Sequence, residues 1–224
     1  MSGEFLMKIL ALEFSSPQRS VAVIRRGESP SDIDVSEVIE PGSTAPFTMI
    51  EGVLREVKLE REQIDGIVVG LGPGSYTGIR AAISIMQGWQ LARAIKLLGI
   101  SSAECIAAQA AADGLTGRVN VIVDAQREEF YLAGYELTSD GSRELEPLKI
   151  VTGAEVRRRA DAGEALIGPE VSRWFPSGKT VYPRAATLGR LALNRTDFIP
   201  GEKLEPIYLR ETQFVKAPPP RIIS

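Results

Sequence analysis

The sequence contains no histidine, and this absence excludes more function classes than any other feature of its composition. Without an imidazole there is no Ser-His-Asp triad, no histidine general base and no His-Glu-x-x-His zinc site. The single cysteine, Cys105, excludes an internal disulfide framework and a multi-cysteine zinc site, and we expect it to act as a small core residue. Serine hydrolases and metallopeptidases are therefore poor interpretations of this chain.

Long hydrophobic runs are also missing. No apolar run approaches the roughly 18 residues of a membrane-spanning helix, and the run over residues 9–12 is too short for a signal peptide. The chain has 26 Lys and Arg against 29 Asp and Glu, a net charge of −3, so it lacks the basic excess of proteins that bind nucleic acid alone. We expect a cytoplasmic protein with no membrane contact.

The hydrophobic pattern predicts an α/β protein built from two similar halves. The chain has 224 residues, of which 44% are hydrophobic, enough for one large domain or two small lobes. In the first half we expect strands at 7–14, 20–25, 34–39 and 64–70, and helices at 47–59 and 77–98, the second ended by Gly99. In the second half we expect helices at 101–112, 152–161 and 185–194, and strands at 119–123, 130–137, 148–151 and 165–168.

The sharpest local signal is a glycine-rich loop between a buried strand and a long helix. Residues 70–80 read Gly-Leu-Gly-Pro-Gly-Ser-Tyr-Thr-Gly-Ile-Arg, which matches neither a Walker loop nor a dinucleotide fingerprint. Backbone N–H groups at such a helix start can bind an anion, but a tight turn that packs the helix on the sheet explains the glycines as well. The residues of a nucleotide or anion loop would be Gly72, Gly74, Ser75, Thr77 and Gly78.

Two predicted helices carry apolar residues suited to a protein partner. The helix at 77–98 is apolar in nearly every direction, which places it either in a core or at an interface, and packing between lobes explains it equally well. The predicted interface residues are Phe47, Ile50, Val53, Leu54, Ile79, Ile83, Met86 and Trp89.

Two carboxylates end apolar strands. Glu13 follows Leu-Ala-Leu and Asp124 follows Val-Ile-Val, and in phosphotransfer folds with paired lobes such residues hold magnesium or polarise a nucleophile. A turn-capping acid at a strand exit is the alternative. Arg127 lies in the charged and aromatic segment 124–131, where it could bind an anion or simply be solvated.

Taken together, these segments resemble the TsaB (YeaZ) family of the actin/sugar kinase/Hsp70 superfamily. The resemblance rests on the opening hairpin over residues 9–23, on Asp-Gly-Ile-Val-Val-Gly-Leu-Gly-Pro-Gly-Ser-Tyr-Thr-Gly-Ile-Arg at 65–80, and on the segments 99–102, 124–131 and 206–210. The first strand departs from the family pattern, since it ends in Glu-Phe-Ser-Ser where the family has Asp-Thr-Ser.

The resemblance implies a two-lobed actin-like ATPase (ribonuclease H-like) fold. Each lobe would be a mixed sheet with flanking helices, an N-terminal, partner-binding lobe over residues 1–102 and a C-terminal lobe over 103–224. It also implies a non-catalytic subunit in the bacterial synthesis of N6-threonylcarbamoyladenosine at position 37 of tRNAs that read ANN codons.

The implied partners are a TsaD homologue, bound as a heterodimer through the N-terminal helices, and a TsaE-type ATPase. The tRNA would be reached through the complex rather than directly, and a homodimer could form when the chain is alone. No cofactor or metal is required, although ATP or ADP could bind in the complex. The alternative is an ATP-dependent phosphotransferase or ATPase of the same superfamily, in which Glu13 and Asp124 would face one cleft beside the glycine-rich loop.

Overall fold

The structure, a computed structural model, describes residues 7–29 and 31–209 and contains two five-stranded sheets. The first sheet comprises β1 (Met7–Glu13), β2 (Gln18–Arg26), β3 (Ile33–Pro41), β4 (Gly66–Gly70) and β5 (Lys96–Ile100). The second comprises β6 (Gly117–Asp124), β7 (Glu129–Thr138), β8 (Gly141–Thr152), β9 (Ala165–Gly168) and β10 (Lys179–Thr180). The helices are α1 (Pro46–Glu56), α2 (Tyr76–Ala92), α3 (Ser102–Ala112), α4 (Gly153–Asp161), α5 (Val171–Trp174) and α6 (Ala185–Ala192).

The two sheets have the same topology. Their strand orders are β3-β2-β1-β4-β5 and β8-β7-β6-β9-β10. In each sheet the first three strands along the chain are antiparallel and the last two join in parallel through helical crossovers. The predicted α/β class and the repeat of one plan in both halves are confirmed. Arg210, the end of the last family segment, and the proline-rich tail lie outside the described residues.

Each sheet is covered by a helix that follows the other sheet along the chain. α3 follows the first sheet and packs on β7 and β8, whereas α6 follows the second sheet and packs on β1 and β2. Leu204 then enters the core of the first sheet beside α1 and α2. The chain after the second sheet thus returns to the first, and the division at residue 102 stays a prediction.

β1 shows why the first sheet is buried on both faces. Leu10 and Leu12 face the core that α1 and α2 cover, whereas Ile9 and Ala11 face the core that α6 covers. This alternation follows from the two-residue period of a strand, and it explains the continuous apolar run in the sequence. Each fully buried leucine or isoleucine side chain stabilises the fold by about 1.5–3 kcal/mol.

The prediction of one helix over 77–98 was wrong in its last part. α2 ends at Ala92, Arg93 has extended backbone with φ −159° and ψ 138°, and β5 then pairs in parallel with β4. Leu97 and Leu98 face opposite cores, as strand residues do. Gly99 pairs with Val69 inside β5 and does not end a helix. A short apolar run fits a helix or a buried strand equally well, which is why its periodicity misled.

Candidate functional site

The glycine-rich loop between β4 and α2 is pressed against the turn that follows β1. A Cβ atom on Gly74 would lie 2.1 Å from the carbonyl oxygen of Ser15, and one on Gly78 would lie 2.0 Å from the carbonyl oxygen of Phe14. Neither position has room for a side chain, because both contacts are with backbone. The loop is therefore built for close packing, which is the turn interpretation of the motif.

Several N–H groups of this loop donate to acceptors inside the protein. The Ser75 N–H donates to the Ser15 carbonyl at 2.7 Å, and the Gly78 N–H donates to Ser75 Oγ at 3.2 Å, which caps α2. The Gly72 N–H donates to Ser102 Oγ at 3.1 Å. Because these three N–H groups are already hydrogen-bonded within the protein, they are not available to bind a phosphate.

The other two residues of the predicted loop lie at its outer side. The side chain of Thr77 is exposed, and Gly74 borders a large cleft together with Ser75. Nucleotide binding by this loop stays a prediction.

Glu13 does not lie in that cleft, contrary to the expectation of a cleft carboxylate. Its side chain is fully buried, accepting hydrogen bonds from the Ser15 N–H at 2.8 Å and the Ser102 hydroxyl at 3.0 Å. Burial raises the pKa of this carboxyl, and the hydrogen bonds from Ser15 and Ser102 oppose the rise. Glu13 thereby joins the end of β1 to the start of α3, and this position explains its burial without catalysis.

Asp124 does border the cleft, at the end of β6. Its carboxylate accepts hydrogen bonds from the Gln126 N–H at 2.7 Å and from Gln126 Nε2 at 3.2 Å. Asp124 thus fits the turn-capping interpretation. Because Glu13 lies elsewhere, the structure does not bring the two carboxylates to one cleft, and the phosphotransferase alternative loses the pair it requires.

The turn after Asp124 has an unusual backbone. Gln126, Arg127 and Glu128 have φ values of 65°, 59° and 61°, a left-handed run in which no residue is glycine. Such residues cost of order 1 kcal/mol or more each and cluster at functional sites. The turn places Arg127 on the lining of the cleft.

The cleft has a volume of about 1190 Å³ and is lined by both halves of the chain. Three exposed aromatic side chains lie along it: Tyr76 (56% exposed), Trp174 (43%) and Tyr208 (42%). The rings of Tyr76 and Tyr208 are stacked with centroids 5.3 Å apart. Arg80 lies over the Tyr76 ring at 5.1 Å and donates to its hydroxyl oxygen at 2.7 Å. This wall offers flat aromatic surfaces beside a cation.

Most of the residues predicted to contact a partner are core residues. Six of the eight are at most 5% exposed, and they pack together under the first sheet: Ile50, Val53, Leu54, Ile79, Ile83 and Met86. They form the buried faces of α1 and α2, so the apolar spacing reflected packing inside the chain. The other two, Phe47 and Trp89, reach the surface.

Phe47 and Trp89 border a second, apolar depression, which we call the α2 groove. Its volume is about 640 Å³, and it is lined by Phe47, Arg61, Glu62, Ser84, Ile85, Gly88, Trp89, Ala92 and Arg93. Leu91 projects from the same helix with 91% of its surface exposed. An apolar depression on an exposed helix face is a candidate site for a protein partner.

Over residues 7–29 and 31–209 the structure shows neither a metal centre nor a membrane span. No group of three or more Cys, Asp or Glu side chains in that part of the chain is arranged to hold a metal ion. No helix there is long and apolar enough to cross a membrane.

Several residues that line the cleft were not predicted as site residues from the sequence. Arg19, Arg80, Trp174 and Tyr208 belong to four separate segments, and only the fold brings them to one cleft. Ile85 and Gly88 of the α2 groove were visible as helix residues, but the outward face of α2 could be identified only once the buried face was known.

Comparison with known proteins gives a consistent family. Residues 45–171 match the family model described as TsaD: tRNA N6-adenosine threonylcarbamoyltransferase. An Escherichia coli protein named tRNA threonylcarbamoyladenosine biosynthesis protein TsaB is 26% identical over 223 residues, covering 91% of this chain and 95% of that protein. A Bacillus subtilis protein of the same name is 25% identical over 173 residues, covering 74% of this chain and 72% of that protein.

The fold is also found among solved structures. YeaZ from Pseudomonas aeruginosa superposes with a TM-score of 0.75 at 23% identity, over 91% of this chain and 100% of that one. With the repeated five-stranded sheets, this confirms the predicted fold of two similar lobes, each a mixed sheet with flanking helices. The chain belongs to the family that the TsaD model describes, and its similarity to the named relatives places it in the TsaB (YeaZ) family.

Proposed function

We propose that this chain takes part in forming N6-threonylcarbamoyladenosine in tRNA, as a non-catalytic subunit that binds and supports a catalytic TsaD-type subunit. The modified base would be at position 37 of tRNAs that read ANN codons. The names of the E. coli and B. subtilis relatives support the pathway. The absence of histidine supports a non-catalytic role, because no histidine-containing metal motif can be present.

The α2 groove is the single observation that carries the binding role. Its apolar lining lies on the outer faces of α1 and α2, and Leu91 extends the apolar surface beside it. Gly88 and Ser84 are small residues, which allow a partner helix to approach closely. A second helix pair laid into this groove would bury the exposed parts of Phe47 and Trp89.

The proposed occupant is the TsaD-type subunit of the same organism. A second copy of this chain is the competing occupant, and mass measurement of the complex separates the two. A TsaE-type ATPase and ATP or ADP bound in the complex stay predictions, as does access to tRNA through the complex. The ATPase alternative has less support, because Glu13 is sealed away from the cleft.

The test is co-purification of the chain with the TsaD homologue, followed by size-exclusion chromatography with light scattering. Gly88→Glu is the informative variant, since a Cβ atom at Gly88 meets nothing within 4 Å and the new side chain fits the isolated chain. The new side chain would fill the groove and bring a charge to its apolar lining, and we expect it to weaken the complex about tenfold or more.

Leu145→Glu is the matched control. Leu145 is an exposed apolar residue of β8 on the second sheet, and it does not line the groove. We expect wild type and Leu145→Glu to form a one-to-one complex, and Gly88→Glu to remain alone with a melting temperature no lower than that of the wild type. A complex that tolerates Gly88→Glu, or a chain that forms only homodimers beside the partner, would contradict the proposal.

A further inference from the structure

The cleft between the halves is lined by aromatic and arginine side chains for which the proposed subunit role has no use. The exposed aromatic residues in the described part of the chain are Phe47, Tyr76, Trp174 and Tyr208, and all but Phe47 line the cleft. Exposed aromatic faces are unusual on a surface that binds nothing, because their burial would be favourable.

Cations accompany these rings on both walls. Arg19 and Arg80 lie on the wall of the first sheet, and Arg127 lies on the wall of the second. Over residues 7–29 and 31–209, none of these three guanidinium groups forms an ion pair.

The carboxylates of the cleft are already engaged. Asp124 accepts two hydrogen bonds from Gln126, and Glu170 pairs with Arg173 at 3.6 Å. The cleft lining thus carries three arginines against two carboxylates, a small positive excess, although the whole chain carries a net charge of −3.

We propose that this cleft binds a short stretch of unpaired RNA, with bases stacked on the Tyr76–Tyr208 ring pair and on Trp174 and phosphates held by Arg19, Arg80 and Arg127. Stacking on aromatic rings next to arginines is how proteins hold single strands without reading a duplex. The left-handed turn at residues 126–128 places Arg127 on the lining of the same cleft as Arg80.

A chain of nucleotides fits this cleft better than one free nucleotide does. The volume of about 1190 Å³ exceeds the roughly 300–1000 Å³ of ordinary small-molecule sites. The N–H groups of Gly72, Ser75 and Gly78 are bonded internally and give no compact phosphate cradle. The cations are instead spread over three segments, as suits phosphates that follow one another along a strand. The identification of this RNA as a tRNA rests on the proposed function. The proposal that the cleft binds unpaired RNA does not depend on that function.

The test is fluorescence anisotropy of the full chain with a labelled single-stranded RNA of about eight nucleotides. We expect saturable binding. The logarithm of the association constant should fall with the logarithm of the salt concentration at a slope of roughly −2, since each of the three phosphates neutralised on a single strand contributes about −0.7. Arg127→Glu should weaken binding and make the slope shallower by about 0.7. Arg118→Glu makes the same charge change at an exposed site outside the cleft and should leave both unchanged.

Stacking is tested separately at Tyr76. Tyr76→Ala should weaken binding about tenfold, whereas Tyr76→Phe keeps the ring and should bind nearly as wild type. AMP and the same RNA in a duplex are the comparison ligands, and both should bind much more weakly than the single strand.

Three results would overturn the proposal. They are no saturable binding, equal losses in Arg127→Glu and Arg118→Glu, and AMP or duplex binding as tight as that of the single strand. The outcome is independent of the subunit role, because Gly88→Glu should bind RNA normally and Arg127→Glu should still co-purify with the TsaD homologue.

Discussion

At the residue scale, Glu13 is the most unusual group in the first half. A carboxyl buried at the end of β1 is tolerated because Ser15 and Ser102 donate to it. Burial raises its pKa above the ordinary value of 4.5. The folded chain therefore binds this proton more tightly than the unfolded chain does, and the free energy of unfolding falls as pH rises above about 4.5.

Glu13→Gln tests this linkage, since the amide keeps the shape but does not ionise. We expect the free energy of unfolding of the wild type to fall relative to that of the variant as pH rises from about 5 to 8. Urea unfolding at several pH values measures the difference, with Glu56→Gln on the exposed side of α1 as the control. A difference that is constant with pH, or that favours the wild type as pH rises, would contradict this description of Glu13.

The sequence identified Glu13 and Asp124 as carboxylates at strand ends, but it could not give their environments. Which way the last side chain of a strand points depends on what packs against that edge. For Glu13 the neighbour is Ser102, 89 positions further along the chain. For Asp124 the partner is Gln126, two positions away, and the turn-capping alternative was accessible from the local sequence.

At the element scale, α2 carries two glycines in opposite environments. Gly78 lies in its first turn against the Phe14 carbonyl, and Gly88 lies on the groove face with open space around it. The φ angle of Gly78 is not in the left-handed region, so the close contact is what requires glycine there. The same substitution should therefore have opposite effects at the two ends of one helix.

We expect Gly78→Ala to lower the free energy of unfolding by about 1–3 kcal/mol or more, because the methyl group forces α2 away from β1. Gly88→Ala should raise it by about 0.5–1 kcal/mol, since alanine favours the helix. Thermal and urea unfolding of both variants measure the effects. Equal effects at the two positions would show that the loop is not pressed on β1 as the structure has it.

The sequence predicted most elements and failed where a pattern fits two structures. Strands such as β1 and β4 were predicted because their apolar runs are short and bounded by turns. β5 was read as the end of a helix, because Ile95, Leu97 and Leu98 continue the apolar character of α2. A second ambiguity, between the core face and a partner-binding face of one helix, led Met86 to be assigned to an interface, although it is fully buried in the core that contains residues of β1 and β4.

At the scale of the whole molecule, the two halves repeat one plan and cover each other's sheets with α3 and α6. This arrangement leaves two distinct surfaces: the α2 groove on the first half and the cleft between the halves. The repeat was predictable because the same order of strands and helices recurs along the sequence. The cleft lining was not, since it draws on segments spread from residue 15 to residue 208.

Reconstitution of the modification in vitro tests most directly whether this chain is a non-catalytic subunit that supports a TsaD-type enzyme. Nucleoside mass spectrometry would quantify N6-threonylcarbamoyladenosine in a tRNA reading an ANN codon after incubation with an activated threonylcarbamoyl donor, the TsaD homologue, a TsaE-type ATPase with ATP, and this chain. We expect modification only when this chain and the TsaD homologue are both present, its loss with Gly88→Glu, and its retention with Leu145→Glu. Modification by this chain without the TsaD homologue, or full activity with Gly88→Glu, would contradict the account.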